Sequence, residues 1–165
     1  MFITWASLSV PYSGNGGPEP HRWGDLPLDF DDNESIQQPL TDLRALCTHL
    51  DDFYGIDPHE LKFYLSGGKG FHCILPAHFL GAEDGDPRLP LIYKNMAARW
   101  KEALKLTSLD MSLYCMKQGR MLRLENVKRA NGFFKVRLTL EEVVSGTPPE
   151  LMALGKQPRK WEDVE

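Results

Sequence analysis

The stretch "LKFYLSGGKGFHCILP", residues 61–76, constrains this chain more than any other. Two runs of strand-forming residues lie on either side of a serine, a lysine and three glycines. Glycine lets backbone turn sharply and approach other groups closely. LKFYLS and FHCILP therefore read as two strands, and SGGKG as the tip of a hairpin or tight bend. The turn also carries chemistry. Lys69 offers a positive charge, and Ser66 and His72 offer hydrogen-bond donors at its two ends.

The other segments take their places around that hairpin. MFITWASLSV reads as a strand, because a signal peptide would open with a basic segment. Residues 12–24 form a Gly/Pro-rich loop. DLPLDFDD reads as a strand beginning near Leu26. PLTDLRALCTHLDDFYG has apolar residues at 40, 43, 46, 47, 50, 53 and 54, which is helical spacing, and Gly55 suits the C-cap. DPHE is a turn, GAEDGDPRLP a surface loop, and LIYKNMAARWKEALKL a second amphipathic helix. MLRLENV and GFFKVRLTL read as a strand pair joined by KRAN. SGTPPELMALGKQPRKWEDVE reads as one short helix followed by a polar tail over 155–165. The expected fold is α+β, a mixed or antiparallel sheet with helices on one face, in a single domain spanning 1–165.

Composition excludes several classes. The chain has 165 residues, 42% hydrophobic and 25% charged, and no apolar run approaches a membrane span. Cys47, Cys73 and Cys115 show no CxxC spacing and read as buried thiols, so no zinc is expected. Net charge is −4, yet the charge is segregated. Residues 25–60 carry ten acids, whereas residues 117–137 carry seven bases against Glu125 alone. Two readings follow: two solvated faces, or a metal site facing a phosphate site.

Three short motifs bear on that choice. In "LDFDD", Asp29 and Asp31 project from one face of a strand, with Phe30 opposite towards a core. Paired carboxylates repel, and a hard divalent cation relieves them; the alternative is a solvated turn or a helix cap. In "SGGKGFH", Lys69 is followed by glycine and then a strand, so this is neither a P-loop nor a dinucleotide fingerprint. Exposed N–H groups in such a turn can still cradle an anion; the alternative is a plain hairpin with a surface lysine. In "LTSLDMSLY", Asp110 stands among apolar residues and needs a partner, either a metal shared with Asp29 and Asp31, an arginine, or a helix start at Met111.

In this order, "LDFDD", "SGGKGFHCILP" and "LDMSLY" resemble the three motifs of the archaeo-eukaryotic primase superfamily, which includes primase-polymerases. The resemblance spans about residues 26–140, with Ser-Gly-Gly-Lys-Gly-x-His its most specific part, and the basic run GRMLRLENVKRANGFFKV also fits. It implies a catalytic core on a sheet of the RNA-recognition-motif type. Asp29, Asp31 and Asp110 would hold two Mg²⁺ or Mn²⁺ ions. Ser66, Gly67, Gly68, Lys69 and His72 would bind the triphosphate of an incoming NTP or dNTP, with Arg120, Arg123 and Lys128 neutralising phosphate charge. The implied activity is template-directed nucleotidyl transfer on single-stranded or primer–template DNA, as a primase or a primer-extending polymerase. Other replication or repair domains would be partners, no membrane is implied, and the location would be the cytoplasm or nucleoid of a prokaryote, phage or plasmid host. Only about 25 residues precede the first acidic motif, and no helicase, ligase or zinc-binding segment is present, so the chain reads as a reduced or trimmed core. The alternative is a non-catalytic primase-like module that binds nucleotide or nucleic acid within a larger complex. A phosphodiesterase built on paired histidine motifs is excluded, because only one such motif occurs.

Overall fold

The computed structural model of the chain describes residues 21–114 and 121–160, together with the strand backbone of 2–4 and 7–8. In chain order the elements are β1 (Phe2–Thr4), β2 (Ser7–Leu8), β3 (Arg22–Trp23), β4 (Leu26–Asp31), α1 (Gln37–Tyr54), β5 (Lys62–Leu65), β6 (Gly70–Leu75), α2 (Leu89–Leu104), β7 (Met121–Arg123), β8 (Val136–Leu138), α3 (Leu140–Ser145) and α4 (Pro148–Leu154). Short 3₁₀ turns at Pro58–Glu60, Ala77–Leu80 and Met111–Tyr114 punctuate the loops. The class is α+β, as expected.

The main sheet has four antiparallel strands in the order β4-β6-β5-β8. The glycine turn joins β5 to β6 as the sequence indicates, with Tyr64 opposite His72. Alternation along the strands sends one set of side chains into the core. Leu26, Leu28 and Phe30 of β4 meet Leu75, Cys73 and Phe71 of β6 in register, and Phe63 and Leu65 of β5 continue the layer. Leu40, Leu43, Leu46 and Leu50 of α1 and Tyr93, Ala97 and Trp100 of α2 cover this face. Each fully buried large apolar side chain contributes roughly 1.5–3 kcal/mol. α1 stops where Gly55 turns left-handed and donates to the Asp51 carbonyl, while Ile56 N–H reaches Leu50 O. Among the described residues no helix is long and apolar enough to cross a membrane.

Four expectations change. The N-terminal run is two short strands, β1 pairing with β7 and β2 with β3. MLRLENV and GFFKVRLTL are not partners in a hairpin: β7 pairs with β1, β8 adds to the edge of β5, and a lone bridge links Lys128 to Phe134. Alternation marks a strand but does not choose its partner. Two helices follow β8: α3, which was not expected, and then α4, the one short helix expected over 145–165. The first begins at a capping box in which Glu142 N–H donates to Thr139 Oγ1 and Thr139 N–H to Glu142. Part of the polar tail is docked, since Arg159 donates to Glu142 (2.8 Å) and to the Arg137 carbonyl (2.9 Å).

Beyond α2 the chain returns along β4. Asp31 N–H donates to Ser108 O (2.9 Å), Asp110 N–H donates to Asp29 O (2.8 Å), and Leu109 bridges Phe30 antiparallel. Residues 108–110 thus lie on the free edge of β4, and this is what brings Asp110 to Asp29.

Candidate functional site

The face of the sheet away from the helices carries Asp29 and Asp31 of β4, His72 of β6 and Tyr64 of β5. Asp29 lies directly opposite His72, and Asp31 opposite Gly70. His72 Nε2 is 3.5 Å from Asp29 Oδ1. The two do not form an ion pair. Burial pushes the His72 imidazole down to about 3, assisted by the charges of Lys135 and Arg129. Burial, then the charges of Asp31 and Asp110, push Asp29 up to about 7. Desolvation favours the neutral form of each group. Asp29 Oδ1 and His72 Nδ1 are both buried without a hydrogen-bond partner among the described residues.

Asp31 is also raised, by burial first and by Asp110, against the lowering influence of Arg129 and Lys69. The three aspartates are therefore electrostatic neighbours. Asp110 is the most engaged of them: Oδ1 accepts from Ser112 N–H (2.8 Å) and Oδ2 from Ser112 Oγ (2.7 Å), starting the Met111–Tyr114 turn. Among the described residues no group of three or more His, Cys, Asp or Glu side chains is placed so that it could hold a metal ion. The unpartnered buried oxygen of Asp29, with Asp31 and Asp110 as electrostatic neighbours, is the kind of donor set a hard cation takes, while Asp110 is held by Ser112 as placed.

The glycine turn is held on both sides. Ser66 N–H donates to Gly70 O (2.9 Å), and buried Ser66 Oγ accepts from Gly70 N–H (3.3 Å). A Cβ on Gly70 would lie 1.7 Å from Phe30 O, so only glycine lets β4 pass. Gly67 has φ +78°, and a Cβ there would meet Phe134 O at 2.6 Å. Lys69 is exposed, and its ammonium donates to Asn33 Oδ1. A surface pocket of about 370 Å³ opens beside Gly68 and Lys69, walled by Ile36 and Met152, and is not lined by Asp29 or Asp110.

Of the basic candidates, Arg123 touches the site through its carbonyl, which accepts from Lys135 Nζ (2.9 Å). Lys128 is exposed, with its ammonium 6.0 Å from the centre of the Phe134 ring. Arg120 and Cys115 lie outside the described residues. Lys135, which the sequence places in the basic run, and three residues not singled out in the sequence complete the site. Arg129 Nη1 donates to Ser66 O (2.9 Å), and Asn131 Nδ2 to Gly67 O (3.0 Å). Lys135 is buried over the Tyr64 ring, 4.4 Å from its centre, and burial pushes its ammonium down to about 8. Asp42 of α1 is buried and accepts from both Ser108 N–H and Ser108 Oγ (2.8 Å each), fixing the segment that carries Asp110. One signal for Asp42 existed: it lies three residues after Pro39 and four before Leu46, on the buried stripe of the helix.

No family profile, curated protein or solved structure matches this chain.

Proposed function

We propose that this chain is the catalytic core of a template-directed nucleotidyltransferase of the primase-polymerase class. Its substrates would be nucleoside triphosphates, its cofactor Mg²⁺ or Mn²⁺, and its partner single-stranded or primer–template DNA. One observation carries the reading: three segments distant in sequence meet on one sheet face, through the Asp29–His72 register and the Asp110 N–H bond to Asp29 O. The strand order β4-β6-β5, with α1 between β4 and β5 in sequence and the 108–110 edge segment following α2, supports a sheet of RNA-recognition-motif type.

Asp29, Asp31 and Asp110 would hold the cations. Bound there, divalent ions would stabilise the attacking and leaving oxygens of an in-line displacement. The chain's own groups bind and orient the triphosphate. Lys69 brings exposed positive charge to the turn, backbone N–H groups of the turn donate, and neutral His72 donates without the cost of burying an imidazolium. Arg123, Lys128 and Arg129 add the positive field that draws phosphate and template to this face. A proton on Asp29 competes with a cation, so cation binding strengthens as pH rises through about 7.

The test is primer extension with ribo- and deoxynucleotide sets in Mg²⁺ and in Mn²⁺. Wild type is expected to incorporate template-directed nucleotides, and Asp29→Ala or Asp31→Ala to abolish incorporation while remaining folded. His72→Ala is expected to weaken triphosphate binding about tenfold to a hundredfold and leave template binding intact. Full extension by Asp29→Ala would overturn the reading. A second reading, a non-catalytic nucleotide-binding module, draws support from the engagement of Asp110 by Ser112. Nucleotide and DNA binding by wild type without incorporation under either metal would favour it.

A further inference from the structure

We infer that Asn131 is a positioning residue that, with Arg129, aims the Gly67 and Gly68 N–H groups at a bound phosphate. The role assigned to the turn rests on the proposed function; the geometry that presents the N–H groups does not. In a trans peptide the carbonyl and the N–H that follows it point to opposite sides, and no peptide bond among the described residues is cis. Arg129 Nη1 takes the Ser66 carbonyl, so the Gly67 N–H points away from Arg129. Asn131 Nδ2 takes the Gly67 carbonyl, so the Gly68 N–H points away from Asn131. Both tethers come from one loop, and both N–H groups are thereby turned from it. Neither makes a hydrogen bond among the described residues. Successive N–H groups presented this way form an anion-binding concavity, and Lys69 follows directly.

The tethering loop is itself braced. Arg129 N–H donates to Phe133 O (2.7 Å), Gly132 N–H to Arg129 O (3.0 Å), and Phe134 N–H to Gly155 O (2.8 Å). Asn131 Oδ1 accepts from Phe133 N–H (3.1 Å), so one amide both shapes the loop and reaches the turn. A Cβ on Gly67 would meet Phe134 O at 2.6 Å, so glycine is what lets the turn sit this close to the loop. Donors fixed before the ligand arrives need no reorganisation when it binds.

Two variants separate the roles of Asn131. Asn131→Ser keeps an acceptor for the Phe133 N–H without the long amide donor, and Asn131→Ala removes both. Sodium tripolyphosphate is titrated into ¹⁵N-labelled protein in Mg²⁺ buffer at constant ionic strength, following the Gly67 and Gly68 amides, and thermal melts check the fold. In wild type both amides should shift and saturate. In Asn131→Ser and Asn131→Ala alike, tripolyphosphate affinity should fall about threefold to tenfold, with a smaller Gly68 shift. In primer extension KM for the incoming nucleotide should rise by the same factor, with kcat within about twofold. Unmoved Gly67 and Gly68 amides in wild type would overturn the inference, as would wild-type affinity in Asn131→Ser with loss only in Asn131→Ala. Amide shifts without any extension activity would uphold the inference and sink the proposed function instead.

Discussion

Asp29 shows how one residue couples stability to chemistry. Its surroundings favour the protonated form, with a value of about 7 against 3.8 for an unburied carboxyl. The folded chain therefore holds this proton more tightly than the unfolded chain does. The associated stability is fully present below about pH 4 and is lost as pH rises through about 7. The displacement corresponds to at most about 4 kcal/mol. His72 runs the other way: its folded value of about 3 lies below 6.5, so its contribution is present above about pH 6.5 and lost as pH falls through about 3. Asp29→Asn removes the first effect and keeps the second. The variant should match wild type in unfolding free energy from urea titration near pH 4 and exceed it near pH 8 by about 1–3 kcal/mol without divalent cations. Equal differences at the two pH values would show that Asp29 ionises without strain.

Among the elements, α1 does more than cover the sheet. Its Asp42 holds Ser108 by two hydrogen bonds and accepts a third from Gln38 Nε2 (2.6 Å), and the 108–110 segment in turn lies on β4. Asp42→Ala should cost roughly 2–4 kcal/mol in urea unfolding, because hydrogen bonds to a buried charged acceptor are lost and Ser108 N–H is left unpaired. With the proposed cation site, the loss of support for Asp110 should show as weaker Mn²⁺ binding than in wild type. A stability change under about half a kcal/mol would mean that β4 holds the segment without the helix. In β7 and β8 the local sequence identifies the strands but not their partners. Their residues alternate as strands should, yet each pairs with a strand far away in sequence. The residues between β7 and β8 make the loop that grips the glycine turn. The capping box Thr139-x-x-Glu142 is legible in the sequence, but the alternating run before it also fits a strand that continues to Leu140.

At the scale of the molecule, the core between α1 and the sheet encloses Cys47 and Cys73, and burial pushes the Cys47 thiol up to about 12 and Cys73 well above its usual range. In a Cys115→Ser background both thiols should react with a disulfide reagent only through unfolding, at one common rate that climbs with urea as the unfolding rate does. Rapid labelling of either in native buffer would reveal a core that opens locally. The sequence alone determined the hairpin with its glycine tip, the two long helices, the α+β class and the acidic, glycine-rich and third aspartate motifs. Each of these is written in neighbouring residues, as spacing, alternation or turn chemistry. Tertiary structure decided the rest. It laid 108–110 along β4, set β8 against β5, and brought Asp42 to Ser108, Arg129 to Ser66 and Asn131 to Gly67. The three side-chain contacts join residues 63 to 66 positions apart, the strand pairings residues still farther apart, and all depend on how covered faces fit together, which local periodicity does not encode.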